Sequence, residues 1–113
     1  MKEPAYVVVL ITTGTVEEAE RISAELLSHK KAACVNVIPR VSSNFWWQSK
    51  IDSNHESLLV VKTKISLLDE VIELVKSIHS YQVPEIIALP IIGGNRDYLD
   101  WVESTVGEAK KNE

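Results

Sequence analysis

Apolar and polar positions along the chain fall into segments of two distinct periods. Residues 5–12 (AYVVVLIT) are β-branched and almost continuously apolar, the pattern of a central strand covered on both faces. Thr15 with Glu18 three residues later forms a capping-box signature, and Glu17 and Glu18 suit the positive end of a helix. Val16, Ala19, Ile22, Leu26 and Leu27 then recur at helical spacing, and Lys30 and Lys31 mark the expected helix end. Residues 32–38 (AACVNVI) return to a strand, and Pro39, which cannot donate a ladder hydrogen bond, predicts a bulge or an edge. An extended, aromatic-rich stretch runs on through Trp47. Ser49 to Asn54 reads as a hairpin tip, and 56–63 (ESLLVVKT) as the return strand. These arms are long against a mean strand of ~5–6 residues and can project beyond their own sheet.

Ser66 is a candidate N-cap with Asp69 in the first turn, and Leu68, Val71, Ile72, Val75 and Ile78 line one helical face. Residues 85–92 (EIIALPII) form a fourth strand, whose later part Pro90 assigns to an edge. Gly93-Gly94 is a turn, Asn95 a candidate N-cap, and Tyr98, Trp101, Val102 and Thr105 mark a final short helix. The polar tail from Glu108 is expected to fray. The order is βαββαβ with a C-terminal helix. It predicts an α+β sandwich with an antiparallel sheet and two helices on one face.

At 113 residues the chain fits one domain spanning 1–113. Twelve basic residues against sixteen acidic ones give a net charge of −4, which argues against nucleic acid and anionic membrane surfaces as partners. The single cysteine, Cys34, allows no intrachain disulfide and fits a reducing, cytoplasmic setting. The first apolar run stops at Thr12-Thr13-Gly14 without a small-residue cleavage pattern, so it reads as a strand and not a signal peptide. No stretch reaches the ~18 apolar residues of a membrane helix.

Three segments resemble the CutA family of divalent-cation-tolerance proteins. The first runs from Leu26-Leu27 through Ala32-Ala33-Cys34-Val35-Asn36-Val37-Ile38-Pro39. The second runs from Ser43-Asn44-Phe45-Trp46-Trp47 through Lys50-Ile51 and Glu56 to Val61-Lys62-Thr63. The third is His79-Ser80-Tyr81-Gln82-Val83-Pro84-Glu85-Ile86-Ile87-Ala88-Leu89-Pro90, followed by Gly94-Asn95, Tyr98-Leu99 and Trp101. The resemblance implies a ferredoxin-like, PII-like protomer that assembles as a tight homotrimer. Trp46, Trp47 and Trp101 are candidates for its interfaces, since a domain this small covers few large aromatics by itself. The sequence departs from the family pattern at Ser80, where a proline is usual, at Phe45 for a tyrosine, and at Ser49 for a turn glycine, which predicts a different turn there.

Candidate chemistry is sparse. A metal site needs several donors converging at fixed distances, and Cys34, His29, His55 and His79 form no paired-ligand spacing. The resemblance implies weak binding of copper or another divalent cation, with His79 and Cys34 as candidate ligands. In the copper-site pattern proposed for one bacterial relative, a sulfur stands at the position of Ile11 and imidazoles at 78 and 79; of these only His79 is present. Read from the residues alone, His79 is also a helix C-terminal histidine that bonds the last carbonyls, and Cys34 a small buried hydrophobe.

The resemblance further implies an intersubunit pocket lined by Trp47, Glu56, Lys62, Tyr81 and Glu85. There Lys62 needs a carboxylate partner that Glu56 or Glu85 could supply; the same residues also make sense as an ion-pair network. No nucleophile stands beside a base, the loop after the first strand lacks the phosphate-cradling arginine of acylphosphatases, and Gly93-Gly94 is too short for a phosphate loop. No basic aromatic strand motif of RNA-binding domains is present. No enzyme or organic cofactor is therefore expected. The leading reading is a homotrimeric module of divalent-cation (copper) tolerance. The alternatives are a PII-like sensor of a small anionic ligand and a trimeric scaffold that anchors another protein.

Overall fold

A computed structural model describes residues 3–107; the tail from Glu108 lies outside the described residues. The elements are β1 (Tyr6–Thr13), α1 (Val16–Ser28), β2 (Cys34–Trp47), β3 (Lys50–Lys64), α2 (Leu68–Ile78), β4 (Ile86–Ile91) and α3 (Arg96–Thr105). The four strands form one sheet in the order β2-β3-β1-β4, antiparallel at every pairing. This is the α+β architecture that the element order predicts, with Pro90 on the edge strand β4.

One face of the sheet carries Val7, Val9, Ile11, Leu59 and Val61, which pack with Ala19, Ile22 and Leu26 of α1 and Val71 and Val75 of α2. Strand period two and helix period 3.6 meet there in a fully closed core. The sheet's other face has no such layer. Ile87 and Leu89 of β4 stay about half exposed on it, at 50% and 51%. α3 packs to one end, where Val102 and Val106 meet Ala33, Leu67 and Tyr6. Glu103 anchors it there, taking the Tyr6 hydroxyl at 3.1 Å and the Lys64 ammonium at 2.9 Å.

Local signals explain most boundaries. Thr15 accepts the Glu18 amide at 3.1 Å and starts α1. Asn95 accepts the Asp97 amide at 2.9 Å and starts α3. α1 ends at Ser28, two residues before the predicted lysine, in a paired closure: Lys31 N–H donates to Leu26 O and Lys30 N–H to Leu27 O, with Lys30 at φ 59°. Pro39 sits in the β2 bulge, between Ile38 and Val41, as expected. Its carbonyl accepts the hydroxyl of buried Ser57 at 2.7 Å, which satisfies a polar group inside the sheet.

Two expectations fail. Ser66 lies in a short 3-10 turn, Ile65–Leu67, and makes no side-chain cap; α2 begins at Leu68. The hairpin tip is Gln48-Ser49, not 49–54, and β3 already begins at Lys50. Both tip residues have positive φ, 51° and 65°, so the arm keeps a two-residue turn of the primed type without glycine. The polar stretch 50–54 reads as a loop because the strand there is exposed on both faces. The resulting arm makes the protein more than twice as long as it is thick, 50 × 34 × 21 Å.

Candidate functional site

The site is built around the loop that leaves α2. Arg21 of α1 donates to the Ile78 carbonyl at 2.6 Å and closes that helix end. His79 turns extended (φ −81°, ψ 141°), and its side chain is wholly buried. Nε2 lies 2.8 Å from the Thr12 carbonyl, which can only accept, so that nitrogen carries the proton. Nδ1 then accepts the Tyr81 amide at 3.0 Å. The expected role of His79 as a cap on its own helix is thus taken by Arg21, while His79 bonds across to β1.

Glu18 receives two hydrogen bonds from Ser80, the amide at 2.7 Å and the hydroxyl at 2.9 Å. Burial pushes this carboxyl upward. The Ser80 bonds, nearby His79 and the Gly14 amide outweigh it and hold the group below the ordinary glutamate value. A proline at position 80 could donate neither bond.

Tyr81 donates its hydroxyl to Glu56 at 2.8 Å and tilts its ring against His79, 4.8 Å between centroids. Burial and the Glu56 carboxylate together push its phenol up to about 12. Gly14 lies beside it, where a Cβ would stand 3.4 Å from the Tyr81 hydroxyl, an ordinary contact.

Tyr81 forms one wall of a cleft of about 770 Å³ floored in part by Thr12. The opposite wall is one face of the β2–β3 arm. Phe45 pairs with Asp52 across the ladder, Val41 with Glu56, and Trp47 continues the row. Glu85, on the segment entering β4, closes the cleft. Three aromatic rings and three carboxylates line it, with no lysine, arginine or histidine among the described lining. Strand alternation turns Trp46 and Ile51, paired with each other, to the arm's other face.

Of the residues expected in a pocket, Trp47, Glu56, Tyr81 and Glu85 come together on this cleft. Lys62 does not. It lies opposite Val8 on β1, whereas the cleft's Thr12 lies opposite Leu58, four positions along the strand, or ~13 Å. Its ammonium bonds the Asn36 side-chain oxygen and stands 3.7 Å from the Cys34 sulfur. Within the subunit its partner is therefore an amide, not Glu56 or Glu85, because those carboxylates sit at the other end of the sheet.

His79 and Cys34 are not brought together either. Cys34 pairs with Lys62, whose positive charge opposes a bound cation. Tyr98 packs on Cys34; burial first, then this thiol, raises its phenol. Both His79 nitrogens are engaged, and Ile11 and Ile78 belong to the apolar core. No group of three or more histidine, cysteine, aspartate or glutamate side chains able to hold a metal exists among the described residues. The donor set within one subunit does not fit a chelated copper.

Sequence reasoning missed Thr12, Glu18 and Asp52. The signal for Asp52 was present: with the turn at 48–49, positions 45 and 47 share a face with 52, 54 and 56. Glu18 and Thr12 meet the site through Ser80 and His79, more than sixty positions away, which no local pattern reveals.

Comparison with known proteins places these features in a family. The family described as CutA1 divalent ion tolerance protein matches residues 7–105. The chloroplastic protein CutA 1 of Oryza sativa is 45% identical over 103 residues, 91% of this chain and 58% of that protein, so the chain spans little more than half of the rice relative. The divalent-cation tolerance protein CutA of Thermus thermophilus is 45% identical over 100 residues, covering 88% of this chain and 97% of that one. A solved structure of the periplasmic divalent cation tolerance protein CutA from Archaeoglobus fulgidus superposes with a TM-score of 0.88 at 43% identity, covering 90% of this chain and 99% of that chain.

Proposed function

The chain belongs to the CutA1 divalent ion tolerance family, and from that premise we propose that it works as a non-enzymatic homotrimeric module of divalent-cation tolerance in the cytoplasm. Copper or another divalent cation is met weakly, through dispersed surface carboxylates of an acidic chain, since His79 and Cys34 are separated and occupied.

The observation that carries the assembly is the arm. Trp46 and Ile51 form a cross-strand pair left 72% and 71% exposed at its end. Half-exposed Ile87 and Leu89 form a second apolar surface, on the opposite, uncovered face of the sheet. A subunit in water does not hold such a surface open without a partner. A second and third copy supply matching surfaces, with aromatic anchors of the kind that dominate interface energetics.

No catalytic role is supported, because the one thiol lacks a free imidazole and the one buried imidazole has no lone pair to spare. A sensor of anions is disfavoured by the three carboxylates of the cleft.

Light scattering at micromolar concentration tests the assembly, with a mass of three 12.7 kDa subunits expected; a monomer defeats it. Calorimetric titration with copper is expected to show weak binding that His79→Gln leaves unchanged. A tight stoichiometric site lost in that variant overturns the dispersed-carboxylate reading and leaves the trimer standing.

A further inference from the structure

We propose that the cleft between the β2–β3 arm and the 81–85 segment binds a small organic cation, a protonated amine carried on an apolar body. This goes beyond divalent-cation tolerance and does not depend on it.

Three features of the cleft lead there. Its size, about 770 Å³, lies within the range of small-molecule sites. Its charge is of one sign: Asp52, Glu56 and Glu85 line it with no cationic side chain among the described lining residues. Its walls are aromatic, with Phe45 and Trp47 on the arm and Tyr81 opposite. Ring faces attract cations, most strongly for tryptophan, and carboxylates accept the N–H groups of an ammonium. An anion meets repulsion from every charged lining group. A bare divalent ion finds carboxylates but no convergent set of three among the described residues, and gains nothing from the aromatic walls.

The cleft is also held in shape before any ligand arrives. Tyr81 is fixed at both ends, its amide on His79 and its hydroxyl on Glu56. That leaves Glu56 with one oxygen committed and one free to accept. Glu85 is exposed and makes no ion pair among the described residues, so its charge is available. A pre-set wall lowers the ordering cost of binding.

Three probes on one skeleton separate charge from apolar contact: 2-phenylethylammonium, neutral 2-phenylethanol and anionic phenylacetate. Each is titrated calorimetrically at neutral pH into the full chain in its native assembly. The ammonium is expected to bind saturably, one per subunit, and roughly tenfold tighter than the alcohol, with phenylacetate weakest. Glu85→Gln, an exposed and nearly isosteric change, is expected to weaken the ammonium roughly fivefold and leave the alcohol unchanged. Trp47→Leu is expected to weaken both, checked by circular dichroism and light scattering for retained fold and assembly. Equal affinity for ammonium and alcohol, tightest binding of phenylacetate, or no saturable binding of any probe overturns the proposal. The last outcome includes a cleft already filled by a neighbouring copy. None of these results alters the copper titration or the subunit count, so the two readings fail separately.

Discussion

The sheet under α1 and α2 and the arm that leaves it share strands β2 and β3, yet they solve burial in opposite ways. In the lower half of β3, Leu59 and Val61 are fully buried against the helices. In the upper half, Trp46 and Ile51 form an equally apolar cross-strand pair with nothing above it in the subunit. The ladder hydrogen bonds continue through both. A strand's alternation sets which side chains share a face; whether that face is dry depends on a second layer brought by the rest of the chain or by another chain.

That contrast predicts a separation of phenotypes. The largest effect falls in the covered half. Leu26→Ala empties a fully buried position and is expected to cost about 2–5 kcal/mol, read as a lower urea midpoint with an unchanged slope. A loss under 1 kcal/mol would mean that the core is looser than it looks.

In the arm, Trp46→Ala is expected to cost about 2–4 kcal/mol per interface. It shifts the assembly toward monomer in concentration-dependent light scattering, while circular dichroism stays native. Unfolding of the variant subunit would erase the proposed distinction between the two halves.

At the joint between the halves, Ser80→Ala removes one of two bonds to Glu18 and is expected to cost about 1 kcal/mol at neutral pH. His79 already has the extended backbone that precedes a proline, so Ser80→Pro fits the chain and loses both bonds. The Glu18 carboxyl is held below its unfolded value. Its stabilisation is therefore complete above the ordinary glutamate range and disappears as pH falls through the lower folded value. The gap between wild type and either variant should close in that acidic window, measured as unfolding midpoints against pH.

Smaller effects sharpen the picture. Ser49→Gly relieves a positive φ at the arm's tip and is expected to stabilise by about 0.5–1 kcal/mol. Its effect on assembly tells whether arm rigidity limits trimer formation. Tyr81 should resist ionisation until about pH 12 in ultraviolet titration. Raised above the unfolded phenol, it stabilises the fold below pH ~10 and loses that contribution as pH climbs past the folded value. In Glu56→Gln the transition should move down, because both the carboxylate charge and its hydrogen bond favoured the neutral phenol.

Much of this was legible in residue order. Continuous apolar runs at 5–12 and 85–92, helical spacing from Val16 and from Leu68, and caps at Thr15 and Asn95 specify the elements by local physics. They also specify the sheet, since few arrangements pair four such strands around two helices. Trp47, Glu56, Tyr81 and Glu85 could be singled out by family likeness.

Tertiary structure decided the rest. It placed Lys62 beside Asn36 and Cys34 at the far end from the carboxylates, turned His79 inward to Thr12, and joined Ser80 to Glu18. It also made the cleft acidic by setting Asp52 beside Glu56 on one face of the arm. The division has a physical cause. Secondary structure and caps depend on neighbours within a few residues, which the chain order states outright. Charge pairing and cleft lining depend on which distant strands share a register, and a one-residue change in the position of a turn exchanges the two faces.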